Sequence, residues 1–413
     1  MITMAAALDV VAAATHRLSS EKVPLTDALE RVARESVRAP IDLPLFDNAA
    51  MDGYAVRADD VTDHPARLLV VAEIAAGTTP PIVVGTGQAA KIMTGAPLPQ
   101  GADSVVPVEL TRPVSQRVRV GDVIIVRDAI AAGANVRRRG EDMATGSAVI
   151  DPGRLTGPAD LGVLAALGIT SIRVTRHPDV AVLATGSELV AADGSPGPGQ
   201  IPDVNSITCS AQVTMAGGRP RSLGIAPDDF SATRRLFEQA LEANVVISSG
   251  GVSVGQFDFL KSILRELGVQ RRFWGVKMKP GWPLLFGTKG DTLVFCVPGN
   301  PVAAMVSFEL FIRPALLGLQ GRADVYRPYV VAAAAGGAKP TKGRAQVMRC
   351  RLKAVDGGWS FERIGNQGSG ALRSMALADG LALIPPRHTG GVDAEFPVML
   401  LSGTSVERPP LPG

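Results

Sequence analysis

A run of small residues in the middle of the chain has the composition of an anion site. The segment VVISSGGVSVGQFD, residues 245–258, passes from an apolar stretch through a glycine-rich turn into a helical pattern over 257–267. Glycines let backbone N–H groups approach an anion at the positive end of a helix, which is typical of a phosphate site. The segment lacks the motifs of Walker loops and of dinucleotide-binding proteins. Taken alone, it leaves a tight structural turn as the alternative.

Other residues suited to phosphate chemistry also follow apolar stretches. Stretches at 180–184, 222–225, 245–248 and 292–297 alternate with helical patterns, which predicts a mostly parallel, doubly wound sheet. Ligands of such sheets bind beyond the carboxyl ends of the strands. We therefore expect one shared rim that contains Glu188, Gly250 to Gly255, Asp258, Lys279 and Pro298 to Asn300. Glycines, lysines and carboxylates together suit a phosphorylated ligand held with a divalent cation such as Mg²⁺.

Several charged residues in or near this region also have simpler interpretations. Asp228 precedes the helical pattern 229–242 and is expected to be its N-cap unless it serves the site. Asn205 and Ser206 are expected to cap a helix that runs through residue 216. Lys277 and Lys279 are two residues apart, so we expect both on the same face of one strand.

Two polar segments in the first third of the chain leave their roles open. Residues 46–53, FDNAAMDG, form either a surface turn or a functional loop around Asp52. The segment NVRRRGED, which ends at Asp142, is either a solvated charge cluster or a clamp for an oxyanion or a second subunit. The turn 93–97, MTGAP, has few bulky polar groups and is expected to be structural.

Composition narrows the class of protein. A chain of 413 residues is too long for one ordinary core and predicts about two to four domains. Its net charge is +3 and no basic run is interleaved with aromatic residues, which argues against nucleic acid as a partner. Cys209, Cys296 and Cys350 form no C-x-x-C pair, which argues against a zinc site and favours a reducing, cytoplasmic environment. No apolar run approaches the length of a membrane span.

The flanking regions have different patterns. Residues 1 to about 40 are predicted to form helices, including a second helix from Asp27 to Glu35. Short β-type runs between residues 68 and 126 predict a compact β-domain, and alternating runs after Tyr329 predict a small terminal β-domain.

Seven motifs in order resemble the molybdopterin molybdenumtransferase family, which includes bacterial MoeA and the E-domain of gephyrin. They lie between residues 44 and 301 and read FDNAAMDGYAVR, KIMTGAPLPQGAD, VRRRGED, LATGSEL, SSGGVSVGQFD, MKPG and PGNP. The resemblance implies a multidomain α+β and α/β protein. Its elongated subunit would comprise a helical linker domain (1–45 with 138–176), a β-domain (46–137), a doubly wound molybdopterin-binding α/β domain (177–327) and a C-terminal β-barrel (328–413).

The same resemblance implies an enzyme of the last step of molybdenum cofactor biosynthesis. Such a molybdopterin molybdotransferase takes adenylylated molybdopterin and molybdate, cleaves the pyrophosphate with Mg²⁺ and releases AMP. It would be a cytoplasmic homodimer whose partners include the molybdopterin adenylyltransferase and recipient molybdoenzymes, with no nucleic acid or membrane. The alternative is a diverged paralogue that binds or carries molybdopterin or the molybdenum cofactor without efficient insertion.

Site residues are carried over motif by motif. The catalytic positions implied by the resemblance are Asp52, Asp142, Glu188, Asp228, Asp258 and Lys279. Three of them would hold the metal, namely Glu188, Asp228 and Asp258. The implied binding positions are Thr185, Gly186, Ser249, Gly250, Gly251, Ser253, Gly255, Lys277, Pro298, Gly299, Asn300, Arg349 and Ser369.

One segment departs from the family pattern. The family commonly reads F-W/H-K-V-A-M-K-P-G-K/L-P, whereas residues 273–283 read FWGVKMKPGWP, with Gly275 in place of the first lysine and Trp282 where lysine is frequent. Lys277 would lie on the same strand face, displaced by roughly 6–7 Å, and supply the positive charge that Gly275 lacks. If it does not, the site has one cation fewer than the family pattern. In that case, replacing Gly275 by Lys is expected to improve molybdate insertion.

Overall fold

The computed structural model describes residues 1–78, 81–113, 118–252, 257–338, 343–387 and 391–401, with the backbone alone at 113, 257 and 258. The chain divides into two compact units. The first unit comprises Met1–Glu21, Glu30–Val32 and Val174–Gly413, and the second comprises Lys22–Leu29 and Ala33–Arg173. The finer division into four domains with the boundaries given above stays a prediction.

The described residues form helices and short strands throughout the chain. The helices are α1 Met4–Ala14, α2 Pro158–Ala166, α3 Asn205–Met215, α4 Phe230–Ala240, α5 Phe257–Glu266, α6 Pro301–Ser307, α7 Arg313–Leu319 and α8 Leu372–Ala376. The strands are β1 Ser20–Pro24, β2 Val37–Arg38, β3 Asn48–Ala49, β4 Gly53–Val56, β5 Ala66–Ile74, β6 Gln88–Ile92, β7 Ser104–Pro107, β8 Thr111–Pro113, β9 Val123–Val126, β10 Val136–Arg137, β11 Ala148–Ile150, β12 Ser171–Thr175, β13 Asp179–Thr185, β14 Leu189–Val190, β15 Ile201–Pro202, β16 Arg219–Ala226, β17 Val245–Ser249, β18 Gln270–Trp274, β19 Met278–Lys279, β20 Leu285–Lys289, β21 Thr292–Val297, β22 Tyr329–Ala334, β23 Ala345–Val355, β24 Gly358–Arg363, β25 Gly380–Ile384 and β26 Glu395–Leu400.

The first unit contains the predicted mostly parallel sheet, in the order β16–β13–β17–β21–β20–β18. The four strands from β16 to β21 are parallel, while β20 is antiparallel to both of its neighbours. Alternate residues of β13 enter different cores: Val180 and Val182 pack with α1, α3 and α6, whereas Ala181 and Leu183 pack with α4 and α5. Apolar side chains on both faces are expected of a parallel sheet covered by helices on either side.

One long helix spans Pro301–Leu319, with π-helical residues Phe308–Ile312 between α6 and α7. This helix is long and apolar enough to cross a membrane by length and composition, yet 78% of its most apolar stretch is buried inside the protein. Its side chains Phe308, Phe311 and Leu316 belong to the main core cluster of the first unit. The apolar composition is therefore explained by packing within the core.

The predicted terminal β-domain is a closed five-stranded barrel. Its strands follow the order β23–β24–β22–β26–β25, and β25 pairs back onto β23. The short strand β19 adds to β23 outside the barrel, with Lys279 level with Gln346. The barrel core contains Phe361 and Phe396, whose rings meet edge to face.

The second unit contains a six-stranded sheet in the order β7–β4–β6–β5–β9–β8, which confirms the β-structure predicted between residues 68 and 126 and extends it to β4. The predicted helix from Asp27 to Glu35 is wrong. Glu30 has a left-handed backbone with φ 56°, and the N–H groups of Ala33 and Arg34 donate to the distant carbonyls of Arg154 and Arg173. Tertiary hydrogen bonds override the local helical preference here.

Candidate active site

The carboxyl ends of β13, β17 and β21 lie side by side, as the parallel topology predicts. Ser249 is level with Val297 on one side and with Ala184 on the other. The N–H of Gly250 donates to the carbonyl of Val297 at 3.1 Å, which ties the glycine-rich loop to the end of the next strand. A Cβ on Gly299 would lie 3.6 Å from the Cα of Gly250. The loops after β17 and β21 are therefore in contact, as expected of a shared rim.

The two glycines after β17 are required by their surroundings. Gly250 has φ 90°, and a Cβ there would lie 2.3 Å from the carbonyl oxygen of Thr185. Gly251 has φ 67°, and its Cβ would lie 2.9 Å from Oγ1 of Thr185. The same hydroxyl donates to the carbonyl of Ser249 at 3.3 Å. The loop thus crosses the end of β13 at a distance that only glycine permits.

Gly250→Ala is expected to destabilise the protein by about 1–3 kcal/mol more than Gly290→Ala, because the new methyl group meets backbone at the end of β13. Gly290 is a matched control, since it also has positive φ, 53°, but nothing lies within 4 Å of its Cβ position. Urea unfolding of both variants measures the difference. Equal midpoints would contradict the tight contact with Thr185.

Backbone donors remain at this rim. The N–H groups of Gly251, Gly299 and Asn300 donate to no acceptor within the described part of the chain. Gly299 and Asn300 are exposed, and Asn300 is the N-cap of the long helix that begins at Pro301. Exposed N–H groups at a helix start favour negative charge. Pro298 is buried beneath them.

Part of the glycine-rich loop lies outside the described residues. This holds for the predicted binding residues Ser253 and Gly255. The backbone of Asp258 lies in the first turn of α5, while its side chain is outside the description. Their roles stay predictions from the sequence.

Two exposed carboxylates flank Ser187 at the same edge of the sheet. The Ser187 N–H donates to Oδ2 of Asp228 at 3.3 Å, and the Asp228 N–H donates to the Ser187 hydroxyl at 3.2 Å. The carboxylate of Glu188 folds over Gly186, where an added Cβ would lie 2.5 Å from Oε2. Neither Glu188 nor Asp228 makes an ion pair in the described residues. Both carboxylates are therefore free to bind a ligand or a cation.

The interpretation of Asp228 as an N-cap is wrong. The cap of α4 is Asp229, whose side chain accepts a hydrogen bond from the N–H of Ala232 at 2.7 Å. A one-residue shift separates the two aspartates, and propensity alone does not resolve such a shift. The N-cap role, which was the alternative to a site role for Asp228, therefore belongs to Asp229.

The cap of α3 also differs from the prediction and reveals a contact that the sequence did not indicate. The carboxylate of Asp203 accepts hydrogen bonds from the N–H groups of Asn205 and Ser206. Asn205 is instead buried and donates from Nδ2 to the carbonyl of Gly299 at 2.8 Å. Its Oδ1 has no hydrogen-bond partner among the described residues. Asn205 therefore supports the loop after β21 from beneath.

The two lysines do not share one strand face, so that expectation is wrong. Strand β18 ends at Trp274, because Gly275 adopts φ 83° and its N–H turns to the carbonyl of Leu284. Lys277 lies between strands and Lys279 lies in β19 beside the barrel. Both are exposed and neither makes an ion pair in the described residues.

The segment that carries the lysines still starts at the rim. Strand β18 runs in the same direction as β21, because each is antiparallel to β20, and Trp274 and Cys296 are both level with Leu285. The chain therefore leaves β18 at the edge where the glycine-rich loop lies. This topology, rather than a common strand face, keeps Lys279 a candidate.

The backbone requires glycine at position 275, so the residue there does more than remove a positive charge. A side chain there would have positive φ, and its Cβ would lie 2.8 Å from Cγ of Met1. A lysine at this position is consequently strained, so the expectation that Gly275→Lys improves turnover does not hold for this backbone.

The barrel contributes a loop to the start of the long helix. The carbonyl of Ser369 accepts a hydrogen bond from the N–H of Val302 at 3.0 Å. Arg349 is completely buried, and its guanidinium donates to Oγ of Ser374 at 3.1 Å and to the carbonyls of Asn366 and Gly368 at 3.2 and 2.9 Å. Burial lowers the pKa of this guanidinium. In this structure Arg349 holds the loop that carries Ser369.

In the second unit, the turn 93–97 holds the carboxylate of Asp52. The N–H and the hydroxyl of Thr94 both donate to Oδ1 of Asp52 at 2.7 Å. The backbone bond and then the hydroxyl bond lower the pKa of Asp52. The turn therefore has a specific role, which its small residues did not reveal.

Thr94→Val is expected to raise the pKa of Asp52 toward its ordinary value of 3.8, because the hydroxyl donor is lost. The depressed pKa means that these bonds favour the folded state above pH 3.8, and that this contribution disappears as pH falls through the folded pKa. NMR titration of the Asp52 carboxyl carbon measures the shift. An unchanged pKa would show that the hydroxyl bond is absent in solution.

The arginine-rich segment before Asp142 is held largely by ion pairs within its own unit. Arg138 pairs with Asp47 at 2.7 Å and Arg139 with Asp42 at 2.6 Å. Hydrogen bonds from Thr145, and then from Arg139, lower the pKa of Asp42 to about 2. Asp142 itself is exposed, and its N–H donates to the carbonyl of Leu43.

Comparisons with known proteins agree along most of the chain. Models of the MoeA N-terminal region (domain I and II), a probable molybdopterin binding domain and the MoeA C-terminal region (domain IV) match residues 2–168, 181–318 and 331–407. Molybdopterin molybdenumtransferase 2 of Mycobacterium tuberculosis is 38% identical over 374 residues, which cover 88% of this chain and 90% of that protein. The chain belongs to the molybdopterin molybdenumtransferase family. The resemblance inferred from the seven motifs is confirmed.

Further members of this family align over nearly their full length. The molybdopterin molybdenumtransferase of Synechococcus elongatus is 33% identical and covers 98% of this chain and 99% of its own. Among solved structures, a molybdopterin biosynthesis MoeA protein from Pyrococcus horikoshii superposes with a TM-score of 0.79 at 30% identity, covering 97% of this chain and 100% of that chain. The α/β domain and the closed barrel are thus a MoeA-like architecture.

Proposed function

We propose that this protein is a molybdopterin molybdotransferase that inserts molybdate into adenylylated molybdopterin and releases AMP with the help of Mg²⁺. The observation that carries the proposal is the rim of the α/β sheet, where the N–H groups of Gly251, Gly299 and Asn300 lie beyond β17 and β21 and donate to no described acceptor. Glu188 and Asp228 follow β13 and β16, the next strands of the same sheet. Backbone N–H donors beside carboxylates that make no ion pair with described residues suit a pyrophosphate with a bound cation.

The carboxylates fit Mg²⁺ as a cofactor. No group of three or more candidate metal ligands occurs in the described residues, but Mg²⁺ typically takes one or two protein carboxylates and completes its shell with water and substrate phosphates. Glu188 and Asp228 are exposed, oxygen-bearing and free of ion pairs in the described part of the chain. We assign them as metal ligands, with Asp258 as a third by family motif. When bound, the cation would neutralise charge on the pyrophosphate oxygens.

The protein's own residues then position the reacting groups. The N–H groups after β17 and β21 would hold the phosphates, with Thr185, Gly186, Ser249 and Gly250 shaping the loop and Asn205 supporting Gly299. Lys279 would offset charge that develops on the phosphates, with Lys277 as a second cation. Attack on phosphorus by a molybdate oxygen or by water breaks the P–O–P link, and AMP leaves. No covalent enzyme intermediate is required.

Residues elsewhere in the chain have proposed supporting roles. Ser369 would contribute to the oxyanion site next to the long helix, with Arg349 as the residue that positions its loop. Asp52 and Asp142 would act in a site built from two subunits, so we propose a homodimer. The adenylyltransferase that supplies the substrate and the molybdoenzymes that receive the product are the proposed protein partners, in the cytoplasm.

AMP release from adenylylated molybdopterin tests this function and separates it from a non-inserting carrier. With Mg²⁺ present, adding molybdate is expected to produce AMP and molybdenum-bound molybdopterin in equal amounts, as measured by chromatography and metal analysis. Tight binding of the substrate without molybdate-dependent AMP would instead identify a carrier. The curated relatives are named as transferases, which favours the first outcome.

A further inference from the structure

A cavity open to solvent lies at the surface of the barrel, outside the residues assigned above to catalysis or metal binding. It has a volume of about 520 Å³ and is lined by residues of β23, β24 and α8 and of the loop between β24 and α8. Three arginines line it, namely Arg351, Arg363 and Arg373. We propose that this cavity binds a small molecule that carries a phosphoryl group. The proposal goes beyond the transferase function and does not depend on it.

The arginines are not neutralised by the protein. None of the three makes an ion pair or a hydrogen bond from its side chain to any residue in the described ranges. Glu362 also lines the cavity and lies directly opposite Arg351 in the β23–β24 ladder, yet the two charged groups do not approach within 4.0 Å. The lining therefore holds three positive charges and one negative charge with no internal pairing.

Some other arginines of the same unit are held by protein partners. Arg327 pairs with Glu309, Arg322 pairs with Asp324, and Arg349 places its guanidinium against the hydroxyl and carbonyls of its own domain. Arg351, Arg363 and Arg373 are exposed and have no such partners among the described residues. Guanidinium groups from separate elements can bind a phosphoryl group from several sides. Each presents a planar fork of N–H donors that matches the spacing of the phosphoryl oxygens.

The remaining lining indicates the kind of molecule that carries the phosphoryl group. Ile364, Ala371 and Leu377 provide apolar surface next to the arginines. The volume lies within the range of about 300–1,000 Å³ that is usual for small-molecule sites, so a bare ion would fill only part of it. A phosphate ester with an apolar body matches this combination of charge and surface.

The cavity adjoins the loop that reaches the candidate active site. Asn366 and Ser374 line the cavity, and both also contact Arg349 beneath the loop that bonds to Val302 through Ser369. A ligand in the cavity would therefore touch one side of the segment 364–374, whose other side meets the start of the long helix.

Isothermal titration calorimetry of the full chain with phenyl phosphate tests the proposal. Phenyl phosphate is expected to bind more tightly than inorganic phosphate because of the apolar lining, and phenol is expected not to bind. Arg351→Gln and Arg373→Gln are each expected to weaken phenyl phosphate binding by about tenfold or more, since each removes a charged donor. Arg271→Gln is the matched control, because Arg271 is exposed on β18, unpaired in the described residues and outside the cavity.

The variants are expected to melt like the parent protein, because the replaced side chains make no bonds to the described residues. Equal affinity in the parent and in both cavity variants would overturn the proposal, as would the absence of binding. Binding that is lost in Lys279→Ala but kept in Arg351→Gln would place the phosphate at the α/β rim and overturn the proposal as well. AMP release tests the transferase function separately.

Discussion

Asp228→Asn is expected to lower the rate of AMP release by roughly 100-fold or more while the protein stays folded. The substitution keeps the size of the side chain and its ability to accept the 3.3 Å hydrogen bond from Ser187, but it removes the charge. Several kcal/mol of transition-state stabilisation from a correctly placed cation correspond to at least two orders of magnitude in rate. Single-turnover release of AMP from adenylylated molybdopterin measures the effect.

The loss is expected to depend on Mg²⁺, which distinguishes a metal ligand from a residue that only shapes the loop. Raising the Mg²⁺ concentration should restore part of the rate in Asp228→Asn, because the variant binds the cation more weakly. Asp291→Asn is the control: Asp291 is an exposed carboxylate just before β21, at the opposite edge of the same sheet. Normal turnover of Asp228→Asn would remove Asp228 from the site.

Glu309→Ala is expected to reduce the free energy of unfolding by about 3–5 kcal/mol, because it leaves Arg327 without its partner in a mostly buried position. Oε2 of Glu309 accepts from Nε of Arg327 at 2.6 Å, and Oε1 accepts from Nε2 of Gln212 at 2.9 Å. The side chain of Glu309 is 6% exposed and that of Arg327 is 15% exposed. They join α3, the π-helical segment and the chain that leads to the barrel.

Glu238→Ala is the matched comparison and is expected to cost less than about 1 kcal/mol. Glu238 pairs with Arg234 at 2.9 Å on α4, but both side chains are at least 40% exposed. Urea unfolding of the two variants, followed by the fluorescence of the tryptophans in the first unit, measures the difference. Similar losses in both variants would mean that burial of the Glu309 pair does not determine its contribution.

The sequence predicted those parts of the fold that depend on local pattern. Strands β13, β17 and β21 were identifiable because they are almost entirely apolar, as buried parallel strands are. The predicted helix from Asp27 to Glu35 failed because distant carbonyls, those of Arg154 and Arg173, take the N–H groups of Ala33 and Arg34. No local pattern contains such partners.

In the candidate site, too, the sequence predicted some features and missed those that depend on distant partners. The parallel topology alone placed Gly250 and Gly299 side by side, which the structure confirms. The contacts from Asn205 to Gly299 and from Thr94 to Asp52 join residues 94 and 42 positions apart, so the motifs did not reveal them. The shared strand face of the lysines failed because Gly275 turns the backbone out of β18.

A crystal structure with adenylylated molybdopterin bound tests most directly whether the rim of the α/β sheet is the reaction site. We expect the pyrophosphate to accept hydrogen bonds from the N–H groups of Gly251, Gly299 and Asn300, with a cation between its oxygens and the carboxylates of Glu188 and Asp228. A pyrophosphate bound away from these loops, with the rim empty, would contradict the account.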